Sequence, residues 1–244
     1  MLVKRVLPKL RFLESTLQPI NRLPKDIFIL LPRFFTREEG DYDTFPMNIP
    51  LITMTHVCRS WRTVLLSTPT LWTQIDFSTF KSKQAKGFMS RSGKQLLDIY
   101  QLIESEDDEE PFPSITLRNI YRLRQLEITS FHQTLEGVLT RFTRPAPELK
   151  HLEITNDFNT TDRDMKFLGT TFEGRLPKFL SLSLHFLCTD FRAFNFPSLT
   201  RFDFTTGTKI AVRDLTSFFE RCPLLEFIQI RLVHVPQLPT APAP

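Results

Sequence analysis

Leu123-Arg124-Gln125-Leu126-Glu127-Ile128 places apolar side chains at the first, fourth and sixth positions of a six-residue run. The same spacing returns at Leu149/Leu152/Ile154, Phe179/Leu182/Leu184, Leu199/Phe202/Phe204 and Leu225/Ile228/Ile230. Successive first positions are 26, 30, 20 and 26 residues apart. Alternation over the last four residues of each run predicts a strand with one buried face. Recurrence predicts a stack in which each unit buries its apolar stripe against its neighbours. Proline stands two residues ahead of four of the five runs, at Pro147, Pro177, Pro197 and Pro223. Its fixed φ, and its effect on the residue before it, predict a stop to the preceding segment and an extended lead-in to the strand.

Short amphipathic segments lie between the runs. Leu135, Val138, Leu139 and Phe142 fall at i, i+3, i+4 and i+7, as do Leu215, Phe218, Phe219 and Cys222; Met165, Leu168 and Phe172 form a weaker version. A strand–helix–strand order running one way predicts a parallel sheet with helices outside it. Units of about 20–29 residues with this pattern are leucine-rich repeats, so residues 71–235 read as an irregular repeat solenoid with short parallel strands on a concave face. Ile75/Phe77 and Ile99 mark two earlier, irregular strands of the same stack.

The N-terminal part reads differently. Val6, Leu10, Leu13 and Leu17 make a helical stripe over residues 1–18. Asn21 is a candidate helix cap before Leu23-Pro24-Lys25-Asp26-Ile27, with Pro24 in the first turn and Asp26 where the helix dipole favours an acid. A polar loop over 36–44 precedes a second helical pattern from Leu51 to Leu66. Ser67-Thr68-Pro69-Thr70 breaks it, and residues 71–77 alternate like a strand. Residues 78–95 are polar and basic, 104–110 form an acidic loop, and 236–244 are too proline-rich to fold.

Composition narrows the function. The 244 residues are 41% hydrophobic and 24% charged, with 24 Phe, 7 Gly and 18 Pro. That is an ordinary globular composition with few sites for phosphate-cradling loops. A net charge of +4 without a Lys/Arg cluster does not argue for nucleic acid. No apolar run reaches the ~20 residues of a membrane helix. Cys58, Cys188 and Cys222 are odd in number and far apart, which points to a reducing compartment, cytoplasm or nucleus. The five histidines stand singly, and no nucleophile elbow or metal-ligand spacing appears. No enzyme activity, cofactor or metal is expected.

Pro19-Ile20-Asn21-Arg22-Leu23-Pro24-Lys25-Asp26-Ile27, His56-Val57-Cys58-Arg59-Ser60-Trp61-Arg62 and Ser67-Thr68-Pro69-Thr70-Leu71-Trp72 resemble an F-box, in that order. With the repeats behind it, the chain resembles the F-box/leucine-rich-repeat proteins abundant in fungi, most closely over residues 19–77. The resemblance implies α-helical F-box helices over 19–70 followed by an α/β repeat solenoid. It also implies a role as substrate-recognition adaptor of an SCF-type cullin–RING ubiquitin ligase. Leu23, Pro24, Ile27, Val57, Cys58 and Trp61 would then contact a Skp-type adaptor protein, and the concave face would bind an unknown target protein. Pro32 departs from the family pattern, falling where relatives carry a bulky apolar residue, and predicts an early end to the first helix.

On the concave face the outward central row is Glu127, Glu153, Ser183, Asp203 and Gln229, flanked by His151, His185 and Arg201. Its three carboxylates predict a preference for a basic target segment. Two other functions stay open: an interaction scaffold without a ligase role, and a nucleic-acid binder using residues 78–95.

Overall fold

The structure, a computed structural model, describes residues 18–32, 48–80, 82–103, 114–130, 135–156, 164–165, 171–189, 191, 195–206 and 211–232. The expected helix over 1–18, the acidic loop 104–110 and the tail 236–244 lie outside these residues, save Gln18. The chain divides into two compact units, 1–72 and 73–244.

In the first unit a 3-10 turn, Pro19–Arg22, leads into α1 (Lys25–Phe28); α2 (Asn48–Thr55), α3 (Arg59–Leu66) and a second 3-10 turn, Pro69–Trp72, follow. Both helices expected here are cut short. Asn21 lies inside the first 3-10 turn rather than capping a helix, and Pro24 occupies the cap of α1. With Pro24 at one end and Pro32 just beyond the other, α1 is a single turn. The expected Leu51–Leu66 helix is broken at residues 56–58, where Cys58 is extended (φ −154°). Thr55 contributes by bonding back to the Ile52 carbonyl at 2.6 Å, which diverts the last turn of α2. Phe28, Leu51, Met54, Leu65, Leu71 and Trp72 form the core of this unit. The Trp72 indole donates to the Leu65 carbonyl at 2.9 Å and closes the chain onto the end of α3.

The second unit is built on one seven-stranded sheet, parallel throughout, with the strands in chain order: β1 (Gln74–Asp76), β2 (Leu97–Ile103), β3 (Leu123–Ser130), β4 (His151–Asn156), β6 (Ser181–His185), β8 (Arg201–Thr206) and β9 (Phe227–Leu232). The short strands β5 (Asp164–Met165) and β7 (Cys188–Thr189) pair separately. The helices are α4 (Ser82–Arg91), α5 (Ser114–Arg118), α6 (Leu135–Leu139) and α7 (Val212–Arg221).

This architecture corrects the expected fold class. In place of a helical F-box followed by a repeat solenoid, the described residues form an α/β fold with seven helices and a single seven-stranded all-parallel sheet. Two physical reasons stand out. Prolines and back-bonding threonines reduce the N-terminal helices to short pieces. The segments between strands are also not equivalent: Met165 lies in β5 and Phe172 in a 3-10 turn with φ 59°, where an amphipathic helix was expected. The two earlier strands expected at Ile75 and Ile99 are present as β1 and β2 and open the sheet.

The four prolines act through one local geometry. In Ala146–Leu149, Leu176–Phe179, Phe196–Leu199 and Cys222–Leu225 the fourth N–H donates to the first carbonyl, at 3.1, 3.3, 3.0 and 3.1 Å. Proline holds the second position of each turn, where its φ is preset. Each turn delivers the chain into the next strand with its apolar row aligned, so Leu126, Leu152, Leu182, Phe202 and Ile228 pair in succession. Behind them Phe191, Phe202, Phe204 and Phe218 pack ring on ring, with centroids between 4.7 and 6.0 Å apart.

Candidate protein-interaction surfaces

Two surfaces carry the residues singled out in the sequence. On the first unit, Leu23, Pro24 and Ile27 are exposed, and so are the neighbouring apolar side chains Ile20 and Leu30. Val57 is 58% exposed at the break between α2 and α3. Arg22, Lys25 and Asp26 are also exposed in this segment. Such a segment, apolar outward and polar at its margins, matches the composition of a docking surface.

Trp61 and Cys58 are placed otherwise. The Trp61 ring meets Phe28 edge-on at 4.8 Å, and its indole N–H donates to the Asn21 side-chain oxygen. Its role is therefore internal: it clamps α3 onto the segment that carries the exposed apolar side chains. Cys58 is half-buried at the start of α3 and makes no capping bond. Cys222 is buried, and burial pushes its thiol pKa up, which opposes nucleophilic use.

The second surface is the polar face of the sheet. Register brings Tyr100, Glu127, Glu153, Ser183, Asp203 and Gln229 into one row, with Asp76 at its β1 end. Beside it run Asp98, Gln125, His151, Ser181, Arg201 and Phe227, and on the other side Leu102, Thr129, Thr155, His185, Thr205 and Arg231. Every expected face residue lies in these rows. Asp76, Asp98 and Tyr100 were missed, because their strands lack the full apolar pattern.

The expected carboxylate row is electrostatically mixed rather than purely acidic. His185 places Nε2 3.9 Å from the Glu153 carboxylate and Nδ1 3.1 Å from the Thr205 hydroxyl. Arg231 stands 3.7 Å from Asp203 and lies beside the Gln229 side-chain amide, whose oxygen accepts from Nε at 2.6 Å when the amide is turned oxygen-inward. Arg201 lies 4.9 Å over the Phe227 ring. At the β2–β3 end Arg124 grips the Asp98 carboxylate through two bonds, one of 2.8 Å. The hydrogen bond that Arg124 donates to Asp98, first among the causes, holds the Arg124 pKa above its ordinary value. Asp98 itself is buried, so this pair belongs to the frame of the sheet and not to its free surface.

Glu127 and Glu153 are directly opposite on adjacent strands, which lie about 4.8 Å apart in a sheet. Like charges so placed oppose folding. Glu127→Gln is expected to raise stability by about 0.5–1 kcal/mol at low salt, with the gain shrinking as salt is added. Thermal melts at two ionic strengths check this; a destabilised variant, or a gain indifferent to salt, would contradict it.

No family model and no curated protein matches this chain. Among the described residues no group of three metal-ligating side chains comes together, and no helix is long and apolar enough to cross a membrane. What the geometry offers is two surfaces suited to protein contact: an exposed apolar segment on the first unit and a polar, charge-patterned sheet face on the second.

Proposed function

We propose that the chain is a substrate-recognition adaptor of an SCF-type cullin–RING ubiquitin ligase. Residues 20–30 dock on a Skp-type adaptor, and the polar face of the sheet holds a target protein. The observation that carries this reading is the exposure of Ile20, Leu23, Ile27 and Leu30, four large apolar side chains within the segment that resembles an F-box. Side chains of this size are left open to water where a partner covers them. The mixed sheet face suits a target that brings charge of both signs. Its carboxylates Glu127 and Glu153 face a basic residue of the target, and Arg201 with Phe227 faces an acidic or aromatic one.

The test is capture of the full chain by an immobilised Skp-type adaptor. Leu23 and Ile27 are exposed, so Leu23→Asp/Ile27→Asp is expected to keep its far-UV circular dichroism and to lose capture by about tenfold or more, since each apolar anchor contributes about 1–2 kcal/mol. Trp61→Ala serves another purpose: loss of the Phe28 and Asn21 contacts is expected to lower the stability of the first unit by about 2–3 kcal/mol. Undiminished capture by the folded double variant refutes the docking segment. Failure of the native chain to be captured at all leaves the interaction-scaffold reading.

A further inference from the structure

Strand β9 differs from every strand before it. In the apolar row to which it belongs, Leu126, Leu152, Leu182 and Phe202 are at most 3% exposed, whereas Ile228 is 46% exposed. Leu232, four residues on along the same face, is 68% exposed. The other edge of the sheet is protected by brevity, β1 being three residues long. By contrast β9 has six residues, no proline to interrupt its N–H groups, and no charged side chain on its apolar face.

The order of side chains along β9 points to the occupant. Ile228-Gln229-Ile230-Arg231-Leu232 reads apolar, polar, apolar, polar, apolar, and is therefore symmetric in polarity about Ile230. Two such strands related by a two-fold axis must run antiparallel, with one residue opposite its own copy. Centring on Ile230 places Ile228 opposite the partner's Leu232 on the apolar face and Gln229 opposite the partner's Arg231 on the polar face. Gln229 and Arg231 are chemically matched, because an amide oxygen accepts from a guanidinium. Neighbouring registers fail: centring on Gln229 sets Glu226 against Leu232, and centring on Arg231 sets two guanidinium groups face to face. We propose that β9 is the pairing edge for a second copy of this chain, joined antiparallel about Ile230 so that the two sheets become one. Each apolar row is then closed by its own symmetry mate, and both polar faces stay open.

The native full chain is expected to be a dimer by light scattering after gel filtration. Ile228→Lys/Leu232→Lys is expected to be monomeric with unchanged far-UV circular dichroism. The register is read separately. Directly opposite residues of an antiparallel pair have Cα atoms about 4.5–5.5 Å apart, within disulfide range. Mild oxidation of Ile230→Cys should therefore give a covalent dimer whose link peptide mapping assigns to position 230 of both chains. Gln229→Cys, whose two copies sit diagonally, should give far less. A native chain that is monomeric at every concentration overturns the proposal. So does a dimer without the 230–230 link, even where the lysine variant fails to fold.

Discussion

Phe202→Ala is expected to lower the stability of the sheet unit by about 3–5 kcal/mol. Phe202 is fully buried and occupies the apolar row of β8. Its ring lies 4.7 Å from Phe218 on α7, 5.9 Å from Phe204 and 6.0 Å from Phe191. Truncation removes the transfer term of a large ring and opens a cavity whose walls are held by sheet pairing on one side and α7 on the other, so the site cannot collapse fully. The aromatic pairs add about 0.5–1.5 kcal/mol each beyond buried area. Phe202→Leu should restore more than half of the loss. Urea unfolding followed by far-UV circular dichroism measures both. A loss below about 1 kcal/mol for the alanine variant would mean that the phenylalanine cluster is not the core of this unit.

Arg122→Ala is expected to cost about 2–4 kcal/mol by the same assay. Arg122 is 8% exposed at the start of β3. Its Nε and one terminal nitrogen both donate to the Gln95 carbonyl, at 2.9 and 2.6 Å. That terminal nitrogen also reaches the Ser92 hydroxyl at 2.8 Å, and the other reaches the Asn119 side-chain oxygen at 3.4 Å. Ser92 and Gln95 follow the end of α4, so the guanidinium ties that helix end to the turn before β3. Burial, the larger cause, pushes the Arg122 pKa below its ordinary value, which marks the charged form as the one the site desolvates. The hydrogen bonds outweigh that cost while the fork is present. Without it, the buried Ser92 hydroxyl and the part-buried Gln95 carbonyl lose their donor, the buried one at about 1–3 kcal/mol. Arg122→Lys should recover less than half, since an ammonium cannot span the two acceptors in one plane. Recovery equal to the native chain would show that the charge alone matters.

How much of this was legible depends on where polarity and position agree. From β3 onward the apolar positions of each run pair residue for residue with those of the next, and the outward rows follow from that register. At β2 the signal inverts: Gln101 pairs with Ile128 in the apolar row, while the apolar Leu102 pairs with Thr129 on the polar face. The side-chain oxygen of Gln101 is left buried without a hydrogen-bond partner, a cost that no periodicity rule anticipates. In residues 78–95 the basic side chains hid a helix whose Ala85, Phe88 and Met89, at i, i+3 and i+4, are buried; that pattern was present and went unread.

The candidate surfaces divide in the same way. Leu23, Pro24 and Ile27 are exposed, with Leu23 and Pro24 extended ahead of α1 rather than inside a helix. Trp61 turned inward because its partner Asn21 is forty residues away in sequence, a separation that local patterns cannot bridge. The pairings across the sheet face follow from register rather than from any one run. Arg231 reaches Asp203, and the His185 ring reaches Glu153, from neighbouring strands and a different row, so a count of carboxylates along one row left out a cation beside Asp203.

The central claim is that residues 20–30 are covered by a Skp-type adaptor. Hydrogen–deuterium exchange of the full chain, with and without a saturating Skp-type adaptor, tests it most directly. The account predicts slowed exchange across residues 20–30 and around Val57, with the strands β3 to β8 unchanged. Protection confined to the sheet face, or no protection anywhere at saturation, would contradict it.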